Sequence, residues 1–117
     1  MIRHNNDGGS INVSTSVYTD IAGTAASNCF GVKGMAARSV KDGVYPLLRK
    51  ESASKGVNVQ FHEDDTITID LHIIVDHGVN LSAVGESIIS EVRYKVNKST
   101  GTTVRAVNVY VDSMMIG

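Results

Sequence analysis

The sequence predicts an α+β domain in which two long helices pack on one face of a mixed β-sheet that contains a central antiparallel hairpin. Apolar and polar residues alternate in Val57–Phe61 and again in Thr66–Asp76, as they do in strands with one buried face. Two longer segments, starting near Ser14 and Asn80, repeat apolar residues at helical spacing. The predicted order is strand, helix, strand, short helix, hairpin, helix, strand, which buries all the apolar stripes in one layered core.

Composition indicates one ordinary globular domain. The 117 residues suffice for one domain and are few for two, so we expect a flexible segment at residues 1–9 and a single domain over residues 10–113. Hydrophobic residues make up 42% of the chain and charged residues 20%, with a net charge of −1, which is typical of a soluble protein. No apolar run follows Arg3 as in a signal peptide, and none is long enough to span a bilayer. We therefore expect a cytoplasmic protein.

The first predicted strand, SINVS, places Ile11 and Val13 on one face, and Ser14 is then suited to cap a helix. The apolar stripe of that helix comprises Val17, Ile21, Ala25 and Asn28 or Cys29, widened by Tyr18 and Ala22. Its alanines and Gly23 predict unusually close packing against a neighbour, and Gly31 is expected to end it in a left-handed conformation.

The middle of the chain predicts a strand from Val32 to Val40 and then a short helix in YPLLRKESASKG. Pro46 would lie in the first turn of this helix and Gly56 after its end. The hairpin follows, with the acidic turn HEDD between its strands. Its apolar face comprises Val57, Val59, Phe61, Ile67, Ile69, Leu71, Ile73 and Val75.

A second long helix and a last strand complete the domain. Asn80 is the predicted N-cap and Gly101 the residue that ends the helix. The helical stripe comprises Leu81, Val84, Ile88, Val92 and Val96, and the strand places Val107, Val109 and Val111 on one side. Both helical stripes are expected to be used inside the core, which would leave no apolar helix face for an interface.

Four stretches resemble the alkaline shock protein family: INVSTSVYTDIAGTAASNCFGVKGM, KGVNV, IDLHIIVDHGVNL and STGTTVRAVNVYV. The resemblance covers Ile11 to Asp112, nearly the whole chain. The matching positions are Ser14, Ala22, Gly23, Gly31, Gly34, Met35, Gly56, Gly78, Asn80, Gly101, Asn108 and Val109. Ser16 and Cys29 depart from the family pattern, which often has an acidic residue at the first position and a longer side chain at the second.

The resemblance implies a small cytoplasmic protein of the Gram-positive envelope stress response, without established catalytic activity or cofactor. It also implies recruitment to the membrane by an integral-membrane protein partner, and a homo-oligomer is compatible with it. We therefore expect a non-enzymatic interaction or scaffold protein that does not itself insert into the membrane.

The alternative function is binding of RNA or another anion. Gly31-Val32-Lys33-Gly34 has the G-x-x-G spacing of the phosphate-clamping loop in KH domains, although a KH domain would need a helix directly afterwards. The following segment is locally basic, and its candidate contacts for an anion or partner are Lys33, Arg38, Lys41, Arg49 and Lys50. Tyr45 is the only aromatic residue there, so a base-stacking platform is lacking and nucleic acid is the less favoured partner.

Metal and catalytic sites find little support in the sequence. His62 and His72 would lie about 20 Å apart on the predicted hairpin, too far to share an ion. Asp70, His72 and Asp76 form at most a weak ligand set, because a third good ligand is missing. Cys29 is the only cysteine, and its place at the end of an apolar stripe predicts a buried and inert thiol. We predict no catalytic residue, metal or cofactor.

Overall fold

A computed structural model describes residues 2–6, 8–36 and 50–116 of the chain and confirms the predicted α+β domain. The strands are β1 (Ile2–Asn6), β2 (Gly9–Val13), β3 (Val32–Met35), β4 (Val57–Phe61), β5 (Thr66–Asp76) and β6 (Thr103–Met115). The helices are α1 (Thr15–Ser27) and α2 (Leu81–Thr100), and a short 3₁₀ helix spans Lys50–Gly56. The remainder of the predicted strand, residues 37–40, and residues 45–49 of the predicted short helix lie outside the described residues.

Strand β5 is the centre of a mixed four-stranded sheet. The predicted hairpin is confirmed, since β4 runs antiparallel to β5 with Val57 opposite Leu71 and Phe61 opposite Ile67. Strand β3 pairs antiparallel with the C-terminal half of β5. It lies on the same edge of β5 as β4, which pairs with the N-terminal half. Strand β6 runs parallel to β5 along its whole length on the other edge, so α2 is the crossover helix of a β-α-β unit.

The core lies between this sheet and the two helices. On β5, the five alternate residues predicted to face inwards are completely buried: Ile67, Ile69, Leu71, Ile73 and Val75. Four residues of the predicted α2 stripe are also buried, namely Val84, Ile88, Val92 and Val96, whereas Leu81 is 45% exposed. The periodicity of both elements is therefore confirmed, and the exception lies at the very start of α2.

Helix α1 buries a face that overlaps the predicted one only in part, at Tyr18, Ala22 and Ala25. Its buried residues are Tyr18, Ala22, Gly23, Ala25 and Ala26, while Val17 is 40% exposed and Ile21 only partly buried. The core-facing stripe is thus rotated by about one residue, or roughly 100°. Tyr18 determines this orientation: its hydroxyl lies 2.6 Å from that of Thr102, and its ring meets Phe61 edge-on at 5.9 Å between centroids.

The expected close packing of α1 is confirmed at Gly23. A Cβ atom on this residue would lie 3.0 Å from the backbone carbon and oxygen of Ala53 in the 3₁₀ helix. The absence of a side chain therefore lets the backbones of the two helices come into contact.

The ends of α2 are as predicted. The side chain of Asn80 accepts a hydrogen bond from the backbone N–H of Ala83 at 3.1 Å. Gly101 follows the last turn with a left-handed φ of 74°, and its N–H donates to the carbonyl of Asn97. These contacts satisfy backbone groups that a helix terminus leaves without partners.

The ends of α1 differ from the prediction. Ser14 occupies the N-cap position, but its hydroxyl lies 3.1 Å from that of Ser16 and makes no capping bond. The helix ends at Ser27 with a right-handed C-cap at Asn28, and the left-handed residue, Gly31 with φ 84°, comes three positions later. Gly31 therefore shapes the connection to β3 instead of ending the helix.

Residues 2–6 form a strand where the sequence analysis assigned no element. Strand β1 pairs antiparallel with β2, from Ile2 opposite Val13 to Asn6 opposite Gly9. Ile2 is 3% exposed and belongs to the core, while Ile11 on β2 is 59% exposed. A single apolar residue among polar ones gives no periodic signal, which is why the pattern did not reveal this strand.

Candidate interaction surface

Lys33, the first of the candidate anion contacts, lies in a strand and already has an ionic partner. Val32 is opposite Val75 and Gly34 opposite Ile74, so Lys33 is the extra residue of an irregularity in the β3–β5 pairing. Its Nζ lies 3.4 Å from an Oδ1 of Asp76. The G-x-x-G segment therefore does not form the loop between two helices that a KH domain uses.

The described structure shows no common site for the other candidate basic residues, because most of them lie outside the described residues. Arg38, Lys41 and Arg49 lie outside the described residues, and Lys50 begins the 3₁₀ helix. Their contact with an anion or partner stays a prediction.

Two polar clusters link the strands on the sheet face that carries Asp70 and His72. The Asp70 carboxylate accepts hydrogen bonds from the side-chain amides of Gln60 at 3.3 Å and Asn108 at 2.9 Å. The His72 ring lies with Nδ1 3.0 Å from Oδ2 of Asp112 and stacks on Tyr110, with 4.9 Å between centroids. These contacts join β4, β5 and β6.

The three residues considered as a weak metal-ligand set, Asp70, His72 and Asp76, each have a different partner in the structure. Asp70 and His72 have separate partners, and Asp76 is paired with Lys33. Within residues 2–6, 8–36 and 50–116, no three His, Cys, Asp or Glu side chains are grouped so that they could hold a metal ion.

Cys29 is partly buried beside α1 and α2. Its Sγ lies 3.3 Å from the carbonyl oxygen of Ala25, to which the thiol donates. Burial raises the pKa of this thiol, Glu91 raises the pKa further, and a hydrogen bond with Ser87 partly opposes the rise. The thiolate, which is the nucleophilic form, is therefore scarce at neutral pH.

Cys29 lies in a groove between α1 and α2 with a volume of about 700 Å³. Its lining residues are Asp20, Ile21, Thr24, Ala25 and Asn28 of α1 and its C-cap, Cys29 and Phe30 of the following loop, and Ser87, Glu91 and Lys95 of α2. Apolar surface from both the helix and the loop is thus flanked by one carboxylate on each helix. A groove of this size and character is suited to binding.

Phe30 stands at this groove with 88% of its surface exposed, the highest value for a large apolar side chain within the described residues. It also lines a second concavity of about 190 Å³, formed with Val79, Ala83, Val84 and Ser87 near the start of α2. The two neighbouring hollows therefore share Phe30 and Ser87. We call this surface the Phe30 groove.

The loop that carries Phe30 is tied to the rest of the domain. The N–H of Val32 donates to the carbonyl of Cys29 at 3.2 Å, and the N–H of Asp76 donates to the carbonyl of Gly31 at 3.0 Å. Gly31 also packs so closely on α2 that a Cβ there would lie 2.9 Å from Cγ2 of Val84. The backbone on both sides of Phe30 is thus anchored, while its ring is exposed.

Sequence reasoning missed Phe30 and the groove. The available signal was an aromatic residue directly before the glycine that follows α1, at a position outside every predicted core stripe. The exposed Val17 and Leu81 also correct the expectation that both helical stripes are consumed by the core. Neither described helix combines the length and apolar character that crossing a bilayer requires.

These observations define a single α+β domain with a groove between its two helices. The chain belongs to the alkaline shock protein 23 family, whose function is described as cell envelope-related, and the family model matches residues 3–116. This match confirms the resemblance seen in the sequence.

Three relatives that the chain resembles carry names that describe them as uncharacterized proteins. It is 40% identical over 109 residues to the uncharacterized protein YloU of Bacillus subtilis (strain 168), covering 92% of this chain and 90% of that protein. It is 35% identical over 116 residues to the uncharacterized protein Spy1614 of Streptococcus pyogenes serotype M6, covering 98% and 95%. The uncharacterized protein YqhY of Bacillus subtilis (strain 168) is 31% identical over 103 residues, covering 88% and 75%. No solved structure matches the chain significantly.

Proposed function

We propose that this protein is a non-enzymatic interaction or scaffold protein of the cell envelope, recruited to the membrane by an integral-membrane protein. The observation that carries the proposal is the Phe30 groove. An almost fully exposed aromatic ring on an anchored loop, beside a partly apolar groove, is typical of protein-binding surfaces, whose binding energy is concentrated in a few aromatic anchors.

The charges of the groove favour a protein over lipid as its occupant. Asp20 on α1 and Glu91 on α2 place carboxylates on opposite walls. Lys95 lies only 3.8 Å from Glu91, so its charge is already directed towards that carboxylate. An anionic bilayer surface attracts clusters of basic residues and repels carboxylates, whereas a protein segment can supply matching charges.

The chemistry of the described polar residues supports a role without catalysis. The Cys29 thiol has a raised pKa, and Asp70 and His72 are each engaged by side chains of neighbouring strands. These groups therefore contribute to the sheet and the groove wall, and the exposed surface is left for binding.

A sedimentation experiment tests recruitment by a membrane protein. The purified chain is spun with three kinds of vesicle: protein-free anionic lipid vesicles, vesicles from membranes of its host, and host vesicles whose exposed proteins were removed with trypsin. We expect the chain to pellet only with the untreated host vesicles at physiological salt. Equal pelleting with the protein-free vesicles would refute recruitment by a protein and assign binding to lipid.

A further inference from the structure

We propose that the Phe30 groove is the docking site for an amphipathic helix that carries lysine or arginine beside its apolar face. This inference rests on the proposed function and specifies the partner segment that the domain recognises. Phe30 is the central apolar anchor of the contact, and Asp20 and Glu91 select the positive charge.

The shape of the surface suits a helix. The groove runs between two packed helices, and helix-in-groove recognition inserts apolar side chains spaced one turn apart into such a hollow. Phe30 lines both the groove and the smaller hollow near Val79 and Val84, so successive apolar side chains of a partner helix can occupy the two hollows and both contact the ring.

Helix α1 extends the apolar surface beyond the loop. Ile21 lines the groove, and Val17, one turn earlier on the same face, is 40% exposed. The core uses the neighbouring face with Tyr18 and Ala22, both completely buried. Part of the apolar surface of α1 is therefore left outside the core, at the exposed Val17 and on the partly buried Ile21, which lines the groove.

The charge of the groove specifies the partner further. Its lining carries two carboxylates, Asp20 and Glu91, against the one ammonium group of Lys95. Asp20 forms no ion pair within the described part of the chain, and the Glu91–Lys95 pair is about half exposed, so it is easily exchanged. A partner cation can pair with both walls, whereas a nucleic-acid phosphate would be repelled by them.

The loop that carries Phe30 needs little further ordering when a partner binds. The hydrogen bonds of Cys29 and Gly31 and the packing of Gly31 on Val84 already hold the loop in place. Pre-organisation of a binding surface reduces the entropic cost of association. Burial of the Phe30 ring under a partner can therefore add to the binding free energy without a prior rearrangement of the backbone.

Two synthetic helices of about five turns, ~18 residues each, test the inference with the full-length chain. Both carry the same leucine stripe, and their remaining positions are lysine in one peptide and glutamate in the other. Titration calorimetry should show that the lysine peptide binds at least about tenfold more tightly than the glutamate peptide, a difference of about 1.4 kcal/mol. Equal affinities, or no binding of the lysine peptide below about 1 mM, would overturn the proposal.

Variants locate the binding. Phe30→Asp, with Phe30→Ala as a milder change, should weaken binding of the lysine peptide at least about tenfold. The matched control is Ile116→Asp, because Ile116 is 86% exposed, receives the same charge and is not among the residues that line the groove. Asp20→Asn should reduce the preference for lysine over glutamate. Retention of tight binding by Phe30→Asp, with thermal melting showing it to be folded, would refute the assignment of this surface.

Sedimentation velocity of the chain alone separates this proposal from self-association. A dimer in the parent that becomes a monomer in Phe30→Asp, but not in Ile116→Asp, would mean that a second copy occupies the groove, and would overturn the proposed partner. A monomer in both the parent and Phe30→Asp leaves the groove open for the peptide, as the proposal requires.

The host-vesicle assay distinguishes failure of this inference from failure of the proposed function. If the parent and Phe30→Asp pellet equally with untreated host vesicles, and trypsin abolishes both, recruitment by a protein stands and the groove assignment is wrong. If the parent pellets with protein-free lipid, the proposed function is wrong, and the peptide titration still decides what the groove binds.

Discussion

Replacement of Gly23 by alanine should destabilise the domain although alanine is the better helix former. In an open helix the change would stabilise by about 1 kcal/mol. Here the new Cβ would lie 3.0 Å from the backbone carbon and oxygen of Ala53 and 3.2 Å from the nitrogen of Ser54. Backbone atoms cannot rotate away as a side chain can, and overpacking of this kind costs about 1–3 kcal/mol. We therefore expect a net loss of about 1 kcal/mol.

Gly85 provides a matched control in the other long helix. It lies inside α2, and a Cβ added there would have no neighbour within 4 Å. Gly85→Ala should therefore gain about 0.4–1 kcal/mol, because the clash term is absent and helix propensity dominates. The same substitution should thus change stability in opposite directions at the two positions.

Urea unfolding followed by circular dichroism measures both changes, and suits a chain with no tryptophan. The midpoint for Gly23→Ala should lie below that of the parent, and the midpoint for Gly85→Ala above it, with unchanged slopes. A Gly23→Ala variant at least as stable as the parent would show that α1 and the 3₁₀ helix are further apart than described.

Three further changes test the core, the hairpin turn and the groove thiol. Ile69→Asp should prevent stable folding, since an unpaired charge would replace a completely buried side chain; an unchanged melting curve would contradict the strand register. A hydrogen bond from Thr66 and a smaller effect of a hydrogen bond from Arg105 lower the pKa of Asp64 from 3.8 to about 2. The ionised carboxylate of Asp64 should therefore stabilise the fold fully above about pH 4, and this stabilisation should disappear as the pH falls towards 2. In Asp64→Asn, the urea midpoint should lose this part of its pH dependence across that range. Cys29 should react with iodoacetamide more slowly in the native protein than in urea at the same alkaline pH, because burial raises its pKa; equal rates would contradict its placement.

The sheet and α2 could be predicted because each residue pattern had a single physical interpretation. Alternation from Thr66 to Ile73 assigns one face of β5 to the core, and the acidic turn limits the pairing with β4 to one register. Helix α2 combines large aliphatic residues at helical spacing with a capping Asn80 and a terminal Gly101, so its pattern and its ends agree.

Helix α1 was harder to orient because its residues differ little in size and polarity. Alanine, serine and glycine are accepted on either side of a helix, so Val17 and Ile21 dominated the predicted stripe. In the structure the decisive residue is Tyr18, whose hydroxyl meets Thr102 far along the chain. A periodicity argument weighs residues by hydrophobicity and cannot anticipate a hydrogen bond between distant segments.

The groove depends on the same kind of distant juxtaposition. Phe30 and Glu91 are near each other only because the β-α-β crossover places α2 beside α1. The partners of Lys33 and Asp70 likewise come from neighbouring strands, which turned two candidate ligand or anion contacts into contacts within the sheet. Residue type alone did not distinguish side chains that are paired within the sheet from side chains that are free to bind a ligand.

The two faces of α1 connect the error in orientation with the proposed function. A helix that served only the core would gain little from Val17, which is 40% exposed, whereas Ile21 both packs against the core and lines the groove. The small residues lie on the core side, where Gly23 and the alanines allow close packing, and Ile21 lines the groove beside Phe30. The predicted stripe thus combined residues of the core face with apolar surface that the proposal assigns to binding. Substitution of Val17 should therefore affect peptide binding more than stability.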